Sequence, residues 1–300
     1  MAPAIRTSGL TKFYGPVVGV EDLSIEVEPG EIYGFLGANG AGKTTTIRLL
    51  LDLLRPTRGS AEVLGIDCHR ASLQVRSRVG YLPGELPVYP ELTADAYLTF
   101  LGGLDGRRVS AQHLDALLKR FDVSAVDLRR RLREHSHGMK RKIGIVQALM
   151  MRPAVAILDE PTAGLDPLMA EAFRETLDDL RRSGTTVFLS SHVLSEVEST
   201  CDRVGLIRAG TLVSQGTIAD IRRRSPRRVT VRFSRPVEAP VPSLEGVTTV
   251  SRALQCWVLD VTGPAGPLVA ALASLPVDDM DVEPFKLEDH MLKLYAPCEC

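Results

Sequence analysis

Short apolar runs of strand length alternate with polar stretches along the first ninety residues. Ala4–Leu10, Leu23–Glu28, Glu31–Leu36 and Ser60–Leu64 read as strands. Between about 85 and 150 the period becomes helical, with Leu114, Leu117, Leu118 and Phe121 on one face at i, i+3, i+4, i+7. Val155-Ala156-Ile157-Leu158 is a continuous apolar run, the pattern of a strand buried on both faces. A helix over Leu168–Arg182, a strand over Thr185–Leu189, a helix over Val193–Thr200 and a strand over Arg203–Arg208 follow. This β-α-β-α alternation predicts a parallel sheet covered by helices.

The pattern changes again after Arg222-Arg223-Arg224-Ser225-Pro226-Arg227-Arg228, which reads as a domain boundary. Val229–Phe233 alternates like a strand and Leu254–Val261 is a second. Gly263-Pro264 opens a predicted helix to about Leu275, and Leu287–Tyr295 is a last one. The expected organisation is a large domain over residues 1–224, its helical part at about 85–150, and a small accessory α+β domain over 225–300. The arginine run reads as a solvated linker, with anionic lipid headgroups as the rival reading. No internal repeat is present, so the large domain is expected to occur once.

The stretch Gly37-Ala38-Asn39-Gly40-Ala41-Gly42-Lys43-Thr44 is a complete phosphate-binding loop between a predicted strand and the helix Thr45–Leu51. Its backbone amides, through Gly37, Asn39, Gly40, Ala41 and Gly42, form an anion nest reinforced by the helix N-terminus. Lys43 reaches the β- and γ-phosphates and the Thr44 hydroxyl ligates Mg²⁺. Composition adds limits. The 300 residues carry 36 basic and 37 acidic side chains, a formal charge of −1, which gives no electrostatic footprint for nucleic acid. Cys68, Cys201, Cys256, Cys298 and Cys300 form an odd, unpatterned set, as in a reducing cytosol. Cys298-Glu299-Cys300 reads as a frayed tail, with a metal or redox pair as the rival. No signal segment is expected, and no stretch approaches the roughly 20 apolar residues of a membrane span.

A phosphate loop alone does not separate kinases, GTPases and transport ATPases. Ile157-Leu158-Asp159-Glu160-Pro161-Thr162 narrows the choice. An acid at the C-terminal end of a buried strand, Asp159, is placed to hold Mg²⁺ directly or through water. Glu160 can orient or deprotonate the water that attacks the γ-phosphate. Two adjacent carboxylates repel unless a cation intervenes, which favours a site over packing.

With these residues in place the sequence resembles the ATP-binding cassette (ABC) family, and specifically the ATPase subunit of a transporter, over about residues 4 to 220. The resemblance implies an α/β P-loop NTPase fold: a RecA-like mixed sheet core, an antiparallel β subdomain and a helical subdomain. It implies that Tyr14 stacks on adenine and that Thr45 joins the nucleotide contacts. His135-Ser136-His137-Gly138-Met139 falls at the signature sequence, so Ser136 and Gly138 bind the γ-phosphate held by an opposite subunit. His137 and Met139 depart from the usual Gly and Gln there. A His-x-His metal site is the rival reading, without a third or fourth ligand nearby. Asp166, in Ala163-Gly164-Leu165-Asp166, sits where the two nucleotide sites connect, and His192 matches the switch histidine that works with Glu160. Gly84, in Tyr81-Leu82-Pro83-Gly84-Glu85, stands where the glutamine loop has its Gln, so Glu85 or a water must substitute.

The family picture carries further expectations: ATP and Mg²⁺ as cofactors, catalysis by Glu160, His192 and Lys43, and a head-to-tail homodimer bound to an integral membrane permease at the cytoplasmic face. Asp166-Pro167-Leu168-Met169, Leu189–Glu198 and the tail Lys286–Tyr295 look like bacterial exporters of the daunorubicin-resistance type, which implies drug or antibiotic efflux. Lipid, ion or import cassettes and a soluble cassette acting on ribosomes or DNA are the competing readings. A small-molecule kinase fits the Glu160-Pro161-Thr162 and His192 arrangement poorly.

Overall fold

The computed structural model describes residues 2–86, 89–104, 108–220 and 227–283. The chain divides into two compact units, Met1–Gln215 and Gly216–Cys300, so the division falls just before the arginine run. The predicted helix Leu287–Tyr295, the cysteine tail and residues 222–226 of that run lie outside the described residues.

In the first unit a six-stranded sheet has the order Thr211–Thr217, Arg203–Arg208, Ile32–Leu36, Thr186–Ser191, Val155–Asp159, Val79–Leu82. Its central pairings are parallel: Ile157 lies opposite Phe188, and Phe35 opposite Ser190. Every residue of Ile32–Leu36, Val155–Asp159 and Thr186–Ser191 is buried, the expected state of strands covered on both faces. A second sheet is antiparallel, with Ile5–Tyr14 between Val17–Leu23 and Arg58–Val63, Ile66–Asp67 beyond the latter, and Glu26–Val27 pairing with Ile5–Tyr14. The predicted strand Leu23–Glu28 is thus broken into the end of one strand and a two-residue second one. Asp22, at φ 49°, marks a left-handed bend there.

The helical stretch resolves into Ala94–Leu104, Ala111–Arg120, Ala125–Arg129 and His137–Leu149. The stripe places Leu117, Leu118 and Phe121 in the core as its period requires. Pro167–Arg182 and Leu194–Thr200 are the two later helices.

The second unit is a four-stranded antiparallel sheet, ordered Val247–Ala253, Cys256–Val261, Arg227–Phe233, Val277–Glu283, with the helix Gly266–Leu272. Its core gathers Val229, Val231, Phe233, Trp257, Leu259, Val261, Leu268 and Leu272.

Candidate active site

The phosphate loop runs from the end of Ile32–Leu36 into the helix Lys43–Leu50. Gly42, the residue before the helix, has φ 111°, and Gly40 has φ 80°, values that favour glycine. At Gly37 the demand is for space, since a Cβ would lie 2.5 Å from the Ile207 carbonyl oxygen. The Gly37 N–H donates to Ser191 O at 3.2 Å and the Gly210 N–H to Ala41 O at 2.9 Å, which pins both ends of the loop to the sheet. Asn39 is exposed at the crest. Lys43 Nζ donates to the carbonyls of Gly37 (2.7 Å) and Ala38 (3.2 Å) and pairs with Glu160 Oε1 at 3.1 Å, although its side chain is only 5% exposed.

Two strand ends and the first turn of the helix supply the other polar groups. The Thr44 hydroxyl donates to Asp159 Oδ2 at 2.8 Å, while the Ser190 hydroxyl donates to Asp159 Oδ1. Glu160 has φ 50°, a conformation that a non-glycine residue adopts at a cost of order 1–3 kcal/mol and that clusters at functional sites. Its N–H donates to Ser190 O at 3.2 Å and to Ser190 Oγ at 3.0 Å, which helps hold that geometry. The side chain then spans two partners, Lys43 on one oxygen and His192 Nδ1 at 2.5 Å on the other. Lys43, Thr44, Asp159, Glu160 and His192, far apart in sequence, are thereby brought into one cluster at the C-terminal edge of the parallel strands, where α/β sheets bind ligands.

Tyr14 is 41% exposed and lies across Gly19, where a Cβ would meet its ring at 2.7 Å and Thr45 Cγ2 at 3.2 Å. Both residues therefore border the loop. Ser136, Gly138 and Asp166 form a second neighbourhood. Ser136 caps the helix His137–Leu149, its Oγ accepting from the Met139 N–H at 3.2 Å with the hydroxyl proton left to donate. A Cβ at Gly138 would lie 2.7 Å from Gly164 O, and the His137 ring packs against Gly164. Asp166 caps Pro167–Arg182 by accepting from the Met169 N–H at 2.9 Å. His135 is buried and His137 exposed, and among the described residues no three His, Cys, Asp or Glu side chains converge on a metal-sized site.

Gly84 reaches the cluster by its backbone. A Cβ there would lie 3.3 Å from Asp159 Oδ2, whereas Glu85 is exposed. The residue that sequence reasoning missed is Arg141. It is 3% exposed, and burial pushes its guanidinium down to about 10, against the opposing pull of Asp159 and Glu160. Within Lys140-Arg141-Lys142 only helical phase singles it out, because it shares a face with Gly144, Ile145 and Ala148, all buried.

A phosphate loop on a parallel sheet, a strand-end Asp–Glu pair and a histidine across from it define a P-loop nucleoside triphosphatase. The ABC transporter family model matches residues 20–163. The bacitracin transport ATP-binding protein BcrA of Bacillus licheniformis is 35% identical over 237 residues, covering 78% of this chain and 76% of BcrA. The daunorubicin resistance ATP-binding protein DrrA3 of Streptomyces coeruleorubidus is 34% identical over 288 residues, covering 93% of this chain and 91% of DrrA3. Among solved structures, an ATP-binding subunit of an ABC transporter superposes with a TM-score of 0.68 at 31% identity, covering 73% of this chain and 92% of that one. The chain belongs to the ABC transporter family, as an ATP-binding subunit with ATPase activity. Among the described residues no helix is long and apolar enough to cross a membrane.

Proposed function

We propose that two copies of this chain, paired head to tail on the cytoplasmic face of a membrane, hydrolyse ATP to power export of a drug- or antibiotic-like cargo through a separate integral membrane permease. The likeness to DrrA3 supports the cargo class, because it extends through both units rather than through the cassette alone.

The observation that carries the chemistry is the double engagement of Glu160 by Lys43 and His192. Incoming phosphates offer Lys43 a stronger counter-ion than one carboxylate, so triphosphate binding takes over the ammonium and leaves Glu160 facing a water. Glu160 accepts that water's proton as its oxygen attacks the γ-phosphorus. The bond to the bridging oxygen of ADP breaks, and His192 orients Glu160 and takes part in the proton's removal. Thr44 and Asp159 present hard oxygen donors 2.8 Å apart, a set that fits Mg²⁺, which when bound neutralises phosphate charge. Tyr14 and Thr45 border the place for the base and phosphates of one nucleotide. Ser136 and Gly138 serve the nucleotide of the facing copy, with Asp166 between the two, so each site needs residues from both chains.

Glu160→Gln tests this reading. Turnover, followed by phosphate release, should fall about 10²–10⁴-fold with ATP still bound, and light scattering with Mg-ATP should find the pair trapped closed. Turnover within a few-fold of the parent would remove Glu160 from the reaction. Vesicles carrying the permease should accumulate drug on ATP addition; accumulation of lipid or ions instead would replace the cargo class.

A further inference from the structure

Arg141 uses its whole donor set on the backbone. A guanidinium has five N–H groups in a rigid fork. Here Nε donates to Pro161 O at 3.2 Å, and Nη1 donates to Pro83 O at 2.7 Å and to Gly84 O at 3.1 Å. Nη2 donates to the carbonyls of Asp159 and Glu160. The five acceptors come from two segments distant in sequence: the turn after the strand Val79–Leu82, and the end of Val155–Asp159 with the left-handed Glu160. A charge this deeply buried is costly unless every donor is satisfied, and backbone oxygens alone satisfy this one.

This matters because Gly84 has no side chain with which to link its turn to the reaction centre, and Glu85 faces solvent. The turn and the metal-binding carboxylate nevertheless meet closely, since a Cβ at Gly84 would press on Asp159. We infer that Arg141 is a positioning residue that ties the Pro83-Gly84 turn to the Asp159–Pro161 backbone, so that displacement of the turn is transmitted to the carboxylate of Glu160. The inference rests on Glu160 being the residue that activates water. A movement of 83–84 that drags Nη1 rotates the planar fork as one body, and Nη2 then pulls on the two carbonyls that flank the Glu160 nitrogen and Cα. Lysine cannot replace this fork, for its ammonium is a single point with three donors and reaches one segment or the other.

The test uses the full chain carrying Arg141→Lys, with Arg141→Gln as a second variant. ATP affinity should stay within about twofold while kcat falls about tenfold or more, the loss expected when one or two charge-assisted hydrogen bonds no longer hold the reacting group. Hydrogen exchange supplies the readout that a plain fold staple would not move. On adding Mg-ATP to the parent, protection should change in both 79–86 and 155–163; in the variants only 155–163 should respond. The exchange result needs no turnover, so it stands apart from the Glu160→Gln experiment. Joint response of both segments in the variants overturns the inference, as does a parallel loss of ATP affinity and kcat, or failure of both variants to fold.

Discussion

The two units of this chain bury different things. Among the described residues, the first unit buries Lys43, Asp159, Arg141, Ser190 and Ser191 around one sheet edge, with the charges joined through Glu160 and backbone carbonyls. Among its described residues the second unit buries one charged side chain, Asp260, which accepts from Arg228 Nε at 3.2 Å, and otherwise packs Val, Leu, Phe and Trp. Burying charge is costly unless it is paired, and replacing such a cluster with apolar residues would ordinarily be neutral or better for stability. A fold that keeps several buried charges at one edge is therefore keeping them for something other than stability. Among its described residues the second unit has no comparable edge, a contrast in keeping with the accessory domain expected from the sequence.

The contrast breaks hardest if the second unit proves to carry the chemistry. Trp257 is fully buried and meets Phe233 edge-to-face at 4.8 Å between ring centroids. Trp257→Ala should destabilise the unit by about 3–5 kcal/mol, the usual cost of deleting a core aromatic. Calorimetry of the full chain should show one transition moving down while ATP turnover of the purified chain at low temperature stays within about twofold of the parent, because Trp257 packs in the second unit's own core and none of the site residues belongs to that core. Turnover collapsing with that transition would erase the division of labour. Trp257→Phe separates two contributions. The indole N–H has no acceptor among the described residues, so removing it relieves an unsatisfied donor and offsets much of the lost area.

On the other side of the comparison, Lys43→Ala should weaken ATP binding on the order of a hundredfold, the loss of a charge-assisted contact to phosphate. Titration with a fluorescent ATP analogue measures it, and an affinity unchanged within a factor of two would count against the loop assignment. The melting of the second unit should not respond at all.

How much of this contrast could be read from the chain follows from what each side chain does locally. The phosphate loop was plain because glycine spacing and a strand–helix context are sequence-local, and Gly40 and Gly42 do take left-handed φ values. Ile32–Leu36, Val155–Asp159 and Thr186–Ser191 were plain because double-sided burial demands an apolar centre, such as Ala156-Ile157-Leu158 and Val187-Phe188-Leu189, with polar residues only at the ends. The edge strands were not. Val277-Asp278-Asp279-Met280-Asp281-Val282-Glu283 is exposed throughout, held by pairing with Arg227–Phe233 and by Arg232–Asp279 at 3.0 Å, so its composition reads as loop. Val247–Ala253 was hidden for the same reason. Arg141 was obscured by two cationic neighbours, and its role depends on carbonyls of residues 83–84 and 159–161 that no local pattern brings together.

The smallest effect probes the first unit's own seam. Arg120, at the end of Ala111–Arg120, pairs with Asp179 of Pro167–Arg182 at 2.6 Å, and this hydrogen bond more than any other cause holds the Asp179 carboxyl below the usual range. A carboxyl with a depressed folded value adds stability above its ordinary value near 4, and that contribution disappears as pH falls through the folded value. Arg120→Ala lets Asp179 return toward the ordinary range, with Arg182 at 3.1 Å remaining as a weaker partner. Both side chains of the Arg120 pair are more than a third exposed, so solvent screening limits the loss to under about 1 kcal/mol. Urea midpoints should therefore differ slightly between parent and variant at pH 7 and converge only as the pH falls through the depressed folded value of Asp179, below which the carboxyl is neutral in both. High salt should shrink the gap at pH 7 as well. A difference that persists at full size in acid would mean that Arg120 acts through the packing of its stem rather than through charge, and the seam would then resemble the apolar core of the second unit more than the charged edge of the first.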